Sequence, residues 1–201
     1  MATASLTPSA FNEDQGQALV ALARHTLLKH FKRAVTPDQQ KNLEKYLNDP
    51  ALQALCGTFV TLKIGGQLRG CIGSLAGYEP LVEGVRSNAI NAALHDPRFR
   101  PLTDQELDRV SIEVSILTTP QPMVYADADE LLAKLRPHVD GVTIRKGLAR
   151  ATFLPQVWEQ LPDARGFLSQ LCLKAGLDGQ AWRRGDLEVE TYQVQYFEEA
   201  H

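Results

Sequence analysis

The chain has 201 residues, a net charge of −3, 44% hydrophobic and 22% charged residues, which describes an ordinary globular protein able to bury a full core without staples. Acidic and basic residues are interspersed, so the basic block of a nucleic-acid binder is missing, and no apolar run approaches the ~20 residues of a membrane span. Three scattered cysteines, Cys56, Cys71 and Cys172, form neither a disulfide framework nor a Cys-x-x-Cys metal motif. Reduced thiols in a cytoplasm are the simplest reading. The first residues carry no basic n-region and no long apolar stretch, and residues 1–9 are expected to be disordered.

Along the chain, Leu19, Leu22, Ala23, Thr26, Leu27 and Phe31 recur at spacings of three and four. That pattern predicts an amphipathic helix over Glu13 to Phe31, with Asn12 as its N-cap. A second helix is expected from Gln39 to Leu47, after the breakers Thr36-Pro37. Cys56 to Ile64 is rich in β-branched and aromatic residues and reads as a strand. Gly65-Gly66 supplies a hairpin turn. A two-residue turn would place Val60 opposite Cys71 and Leu62 opposite Arg69, and a longer loop would change that register. Pro80 opens a helix to about Leu94, whose polar residues Asn88, Asn91 and His95 line up either as solvated surface or as a cleft wall. Asp96 to Leu102 is a proline-bounded loop, and Thr103 with Glu106 forms a capping-box pattern. Val110 to Leu117 alternates strictly and reads as a half-buried strand with Glu113 on its polar side.

Pro120 and Pro122 end that strand or mark an edge. A helix is expected over Asp127 to Leu135, then a hairpin of Val139 to Lys146 and Ala149 to Leu154. Helices follow over Pro155 to Leu161 and Arg165 to Ala175, the second closed by Gly176. Leu187 to Phe197 reads as one last strand. Trp158 and Trp182 read as core or lobe-interface anchors. Hairpins outnumber βαβ units, which predicts an α+β fold with a mostly antiparallel sheet and flanking helices.

The stretch Leu68-Arg69-Gly70-Cys71-Ile72-Gly73 carries the strongest chemical signal. Residues i and i+2 share a face of a strand, so Arg69 would sit beside Cys71 and favour its thiolate. Gly70 and Gly73 would leave room for a ligand or another backbone. The same features suit an inert, packed cysteine.

This hexapeptide resembles the signature of the AMMECR domain family, met in bacteria and archaea as AmmeMemoRadiSam system protein A. Asp96-Pro97-Arg98-Phe99 with Pro101-Leu102-Thr103, and Ile112-Glu113-Val114-Ser115, are similar to the family's second and third blocks. Asp140-Gly141-Val142 through Trp158, and Phe167-Leu168-Ser169 through Leu177, are similar to its fourth and fifth. The resemblance runs from about residue 15 to about residue 197. It implies a single domain over residues 10–198, formed of two closely packed lobes with a groove between them. The family's characteristic residues in that groove would be Arg69, Cys71, Asp96, Arg98 and Glu113. The family name records genomic association with a Memo-like protein and a radical S-adenosylmethionine protein, which are the expected pathway partners. It implies no particular reaction. His95 lies outside the family pattern.

Three chemistries compete. In an enzyme, Cys71 would be the nucleophile and His95, Asp96 or Glu113 the base, since Arg69 accepts no proton; His138 is a further, weaker base. In a binding or adaptor module, Arg69 and Arg98 would hold a small carboxylate or phosphate. A metal at Cys71, His95 and Glu113 would have suitable ligand types without ligand spacing, so no metal and no cofactor are expected. Gly66, Gly70 and Gly73 match neither the P-loop nor the dinucleotide fingerprint.

Overall fold

The computed structural model describes residues 11–199, so the expectation of disorder over residues 1–9 lies outside the described residues. In chain order the elements are α1 (Glu13–His30), α2 (Pro37–Leu47), β1 (Gly57–Ile64), β2 (Gln67–Ser74), α3 (Leu81–Leu94), β3 (Val110–Leu117), β4 (Gln121–Pro122), α4 (Ala128–Lys134), β5 (Gly141–Lys146), β6 (Ala149–Phe153), α5 (Ala164–Lys174), β7 (Glu188–Tyr192) and β8 (Val194–Glu198), with short 3₁₀ turns between some of them. The chain divides into two compact units: residues up to Leu117 together with those from Gln195 form the first, and Thr118–Val194 form the second. Each has its own sheet, ordered β2-β1-β3-β8 and β4-β7-β5-β6. The α+β fold with antiparallel pairing and flanking helices is as the sequence predicts.

In the first unit α1 and α3 cover one face of the sheet. Period-2 alternation on the strands meets period-3.6 stripes on the helices. Val60, Leu62 and Val114 interlock with Leu19, Ala23, Leu27, Val85 and Ala89, all wholly buried, each large side chain contributing roughly 1.5–3 kcal/mol. α1 starts at Asn12, whose side chain accepts from the Gln15 N–H at 2.9 Å while Gln15 Oε1 accepts the Asn12 N–H at 3.0 Å, a reciprocal cap.

In the second unit the Trp158 and Phe167 rings stack with centroids 3.7 Å apart, and Trp158 Nε1 donates to the Asp140 carbonyl at 2.7 Å. Trp158 and Trp182 are both buried there. Gly176 closes α5 at φ 77°, as its C′ position requires.

The stretch Leu187 to Phe197 differs from its expectation as one strand. It is two strands in two sheets, broken at Gln193, whose N–H is taken by Thr118 Oγ1 at 2.8 Å. The Gln193 carbonyl accepts the Thr118 N–H at 2.9 Å. Alternating side chains run through the break, so the pattern alone does not reveal it. No helix among the described residues is long and apolar enough to cross a membrane.

Candidate functional site

The β1–β2 hairpin decides what the signature cysteine faces. Gly65 and Gly66 turn with φ of 58° and 77°, which glycine adopts without a Cβ penalty. Ile64 then pairs with Gln67 and Lys63 with Leu68, but Leu62 pairs with Gly70. Arg69 is therefore the extra residue of a β-bulge, and a slip of one residue exchanges the two faces of everything beyond it. With the simple two-residue register Cys71 would oppose Val60, on the core side. With the bulge it opposes Thr61, and Thr61 in turn opposes Glu113. Cys71, Thr61 and Glu113 thus form a row across three strands on the sheet's polar face.

The glycines serve packing rather than access. Gly70 takes the core-side place opposite Leu62, where an added Cβ would lie 2.1 Å from the Ala92 carbonyl oxygen of α3. At Gly73 a Cβ would lie 2.3 Å from the Phe59 ring. Of the two expectations for these glycines, a ligand or another backbone, the close approach seen at Gly70 is to the α3 backbone, and at Gly73 the space is taken by the Phe59 ring.

Cys71 is half-buried, and the Thr61 hydroxyl lies 3.3 Å from its sulfur as donor. Burial pushes the thiol up from its ordinary range; the Thr61 hydrogen bond and the Arg98 guanidinium oppose that rise, and the Glu113 and Asp96 carboxylates add to it. The net direction is upward, so the group is a thiol at neutral pH, opposite to what an activated nucleophile needs. Cys56 and Cys172 are fully buried, and burial drives the Cys56 thiol up to about 11.

The outer edge of β2 is closed at Cys71 by two side chains. Asp96 Oδ2 accepts the Cys71 N–H at 2.9 Å, and Arg98 Nη2 donates to the Cys71 carbonyl at 3.2 Å. Together they supply the acceptor and the donor that a neighbouring strand would supply, a way of blunting a sheet edge. Asp96 is 4% exposed. It also accepts from the Arg98 backbone N–H at 3.1 Å, from Nε at 2.9 Å and from Nη2 at 2.7 Å. The Arg98 hydrogen bonds hold its carboxyl well below the usual carboxylate range. Arg98 itself remains 54% exposed in its side chain, and its Nη1 makes no hydrogen bond among the described residues.

Arg69 is engaged elsewhere than expected. Its Nε and Nη2 donate to Glu106 at 2.9 and 3.1 Å, and Nη1 donates to the Arg100 carbonyl at 2.9 Å. The guanidinium and the Thr103 N–H hold Glu106 down at about 2. The Phe99 ring lies 6.0 Å from the Arg69 guanidinium and 5.5 Å from that of Arg98. Arg98, not Arg69, is the cation that acts downward on the thiol.

His95 is exposed at the end of α3, and its Nδ1 pairs with Asn91 Oδ1 at 3.0 Å. Asn88, one turn earlier, is buried and donates to the Thr58 carbonyl at 3.1 Å. The polar stripe on α3 therefore resolves into an internal tie to β1 and a surface pair, and neither hydrogen-bonds the Cys71 thiol, whose partner is Thr61. His138 belongs to the second unit, exposed in a left-handed turn at φ 63°. Glu113 is committed to Lys63, whose Nζ lies 2.8 Å away and also reaches Glu198 at 3.0 Å. Thr61, Lys63 and Glu106 were not among the expected site residues. Thr61 and Lys63 are revealed by register, and Glu106 by its capping box, whose carboxylate serves Arg69 as well.

The AMMECR1 family model matches residues 20–197. A protein of Thermofilum pendens is 39% identical over 197 residues, covering 92% of this chain and 90% of its own length. One of Methanothermobacter thermautotrophicus is 36% identical over 190 residues, covering 94% and 96%. The crystal structure of the uncharacterised protein PH0010 from Pyrococcus horikoshii superposes with a TM-score of 0.80 at 33% identity, over 96% of this chain and 95% of that one. With a family model over residues 20–197, relatives of this identity over nearly the whole chain and a shared fold, the chain belongs to the AMMECR1 family.

Proposed function

We propose that the protein is a binding module for a small anionic molecule, held by the Arg98 guanidinium at the outer edge of β2 beside a neutral Cys71 thiol. The observation that supports this reading is the asymmetry of the Asp96–Arg98 pair: the carboxylate is buried and fully used, whereas the Arg98 side chain is 54% exposed and its Nη1 makes no hydrogen bond among the described residues. Asp96 fixes the orientation of the fork at no cost to its outward face, and a pre-oriented guanidinium suits a carboxylate or phosphate. Thiol-dependent catalysis fits less well, because burial raises the thiol and the nearby carboxylates are engaged by Arg98 and Lys63. The adaptor form of this reading, in which the molecule is presented to a Memo-like or radical S-adenosylmethionine protein, rests on the family resemblance alone.

Titration calorimetry with acetate, succinate and inorganic phosphate at low ionic strength tests the proposal. Saturable heat with at least one anion is expected, kept by Cys71→Ser and lost in Arg98→Gln. The melting curve of each variant reports whether it is folded. No heat with any of the three, or heat unchanged in a folded Arg98→Gln protein, would overturn the reading.

A further inference from the structure

A second recess lies on the first unit, away from the signature residues. It is a groove of about 620 Å³ running along α1 and walled by α2 and by Glu199. Its floor is made of small and apolar residues, Ala18 and Ala21 of α1 with Leu43 of α2, and Tyr46 stands at its side. The volume falls within the ~300–1,000 Å³ typical of small-molecule sites.

His25 is the independent observation that points to a ligand. It lines the groove yet is only 8% exposed. Among the described residues its ring makes no hydrogen bond, and its ring nitrogens are not among the fully sealed, unpartnered atoms, so the ring keeps some exposure where it lines the groove. A nearly buried imidazole normally finds a partner. Burial, and then the Lys29 ammonium one turn further on, hold its protonation below the ordinary histidine range, so it stands neutral with a ring N–H to offer.

The electrostatics favour one end of the groove. Arg24 and Glu199 neutralise each other, and Arg24 is further tied to the Leu107 and Val110 carbonyls at 2.9 and 2.6 Å. Lys29, outside the lining, leaves positive potential at His25, and Lys45 of α2 adds a second cation among the lining residues. The other lining carboxylate, Asp14, sits eleven residues earlier on the same helix, roughly 16 Å away at the α-helical rise. A negative group is therefore welcome at the His25 end, and an apolar body fits the floor between the two ends.

We infer that this groove is a binding site for a small carboxylic acid with an aryl or branched-alkyl body, its carboxylate meeting the His25 ring and its body lying over Ala18, Ala21 and Leu43. The site is distinct from the edge of β2 and does not depend on Arg98.

Ring signals of His25 in ¹H–¹³C NMR spectra, assigned as those deleted by His25→Gln, provide the readout. Titration with phenylacetate and with 4-methylpentanoate should move these signals saturably, whereas the neutral phenylacetamide should bind at least ~10-fold more weakly. Ala21→Leu, which fills the floor, should abolish the shifts while leaving the alkylation rate of Cys71 and the far-ultraviolet circular dichroism unchanged. No saturable shift from either acid at ~10 mM, equal shifts from acid and amide, or undiminished binding by a folded Ala21→Leu protein would each overturn the inference.

Discussion

Gly70→Ala puts the bulged hairpin to a quantitative test. A Cβ at this position would lie 2.1 Å from the Ala92 carbonyl oxygen, about 1.3 Å closer than the 3.4 Å at which ordinary contact begins. The opposing atom is helix backbone, so no rotamer change relieves the overlap. Either α3 lifts from β2 or the bulge is redistributed, and both loosen the packing of Val85 and Ala89 against Val60 and Leu62. Overpacking of this kind costs about 1–3 kcal/mol. For a chain of this size that corresponds to a fall of roughly 2–12 °C in melting temperature. Circular dichroism melts of the wild type and Gly70→Ala, with urea titrations to confirm that the slope is preserved, measure it directly. A melting temperature within 1 °C of wild type would show that the space beside Gly70 is open, and that the glycine serves something other than helix–sheet contact.

The other expectations concern the charges and hydroxyls around Cys71. Asp96→Asn should lower stability at pH 7 by about 1–3 kcal/mol, the range for charge-assisted hydrogen bonds. Because the Asp96 carboxyl is depressed in the folded state, its contribution is complete above the ordinary aspartate value of ~3.9 and fades as pH falls below it. Urea midpoints of wild type and Asp96→Asn should therefore stay apart down to about pH 4 and converge progressively as pH falls further, and curves that remain parallel through that range would refute the assignment. Thr61→Val removes the hydroxyl that acts downward on the thiol, so the pH midpoint of Cys71 alkylation should rise. Arg69→Ala should leave that midpoint where it is, since its guanidinium is bound to Glu106; a clear rise would restore Arg69 as the tuning cation. His95→Ala, at an exposed helix end, should change neither the midpoint nor, beyond ~0.5 kcal/mol, the stability.

Elements governed by local chemistry were legible in the sequence. Strict alternation marks β3 at its observed bounds, Asn12 with the apolar stripe marks α1, and Gly65-Gly66 marks the turn. What could not be read is set by long-range contacts. The bulge at Arg69 exists because Gly70 must meet α3 and Asp96 must close the strand edge, and neither partner is near in sequence. That one slip moves Cys71 from the core side to the polar face. The split between β7 and β8 depends on Thr118, 75 residues from Gln193. Arg98 and Asp96 stand out by family resemblance, but the way they take the place of a neighbouring strand at Cys71 becomes visible only once the backbone of β2 is placed.

The most direct test is the rate of iodoacetamide alkylation of Cys71 in the native protein as a function of pH, Cys56 and Cys172 being buried. A binding module with a neutral thiol is expected to give a single transition with its midpoint above the unperturbed cysteine value of ~8.5. A midpoint well below that value would show a thiolate at neutral pH and contradict the assignment of Cys71 as a non-nucleophilic neighbour of the anion site.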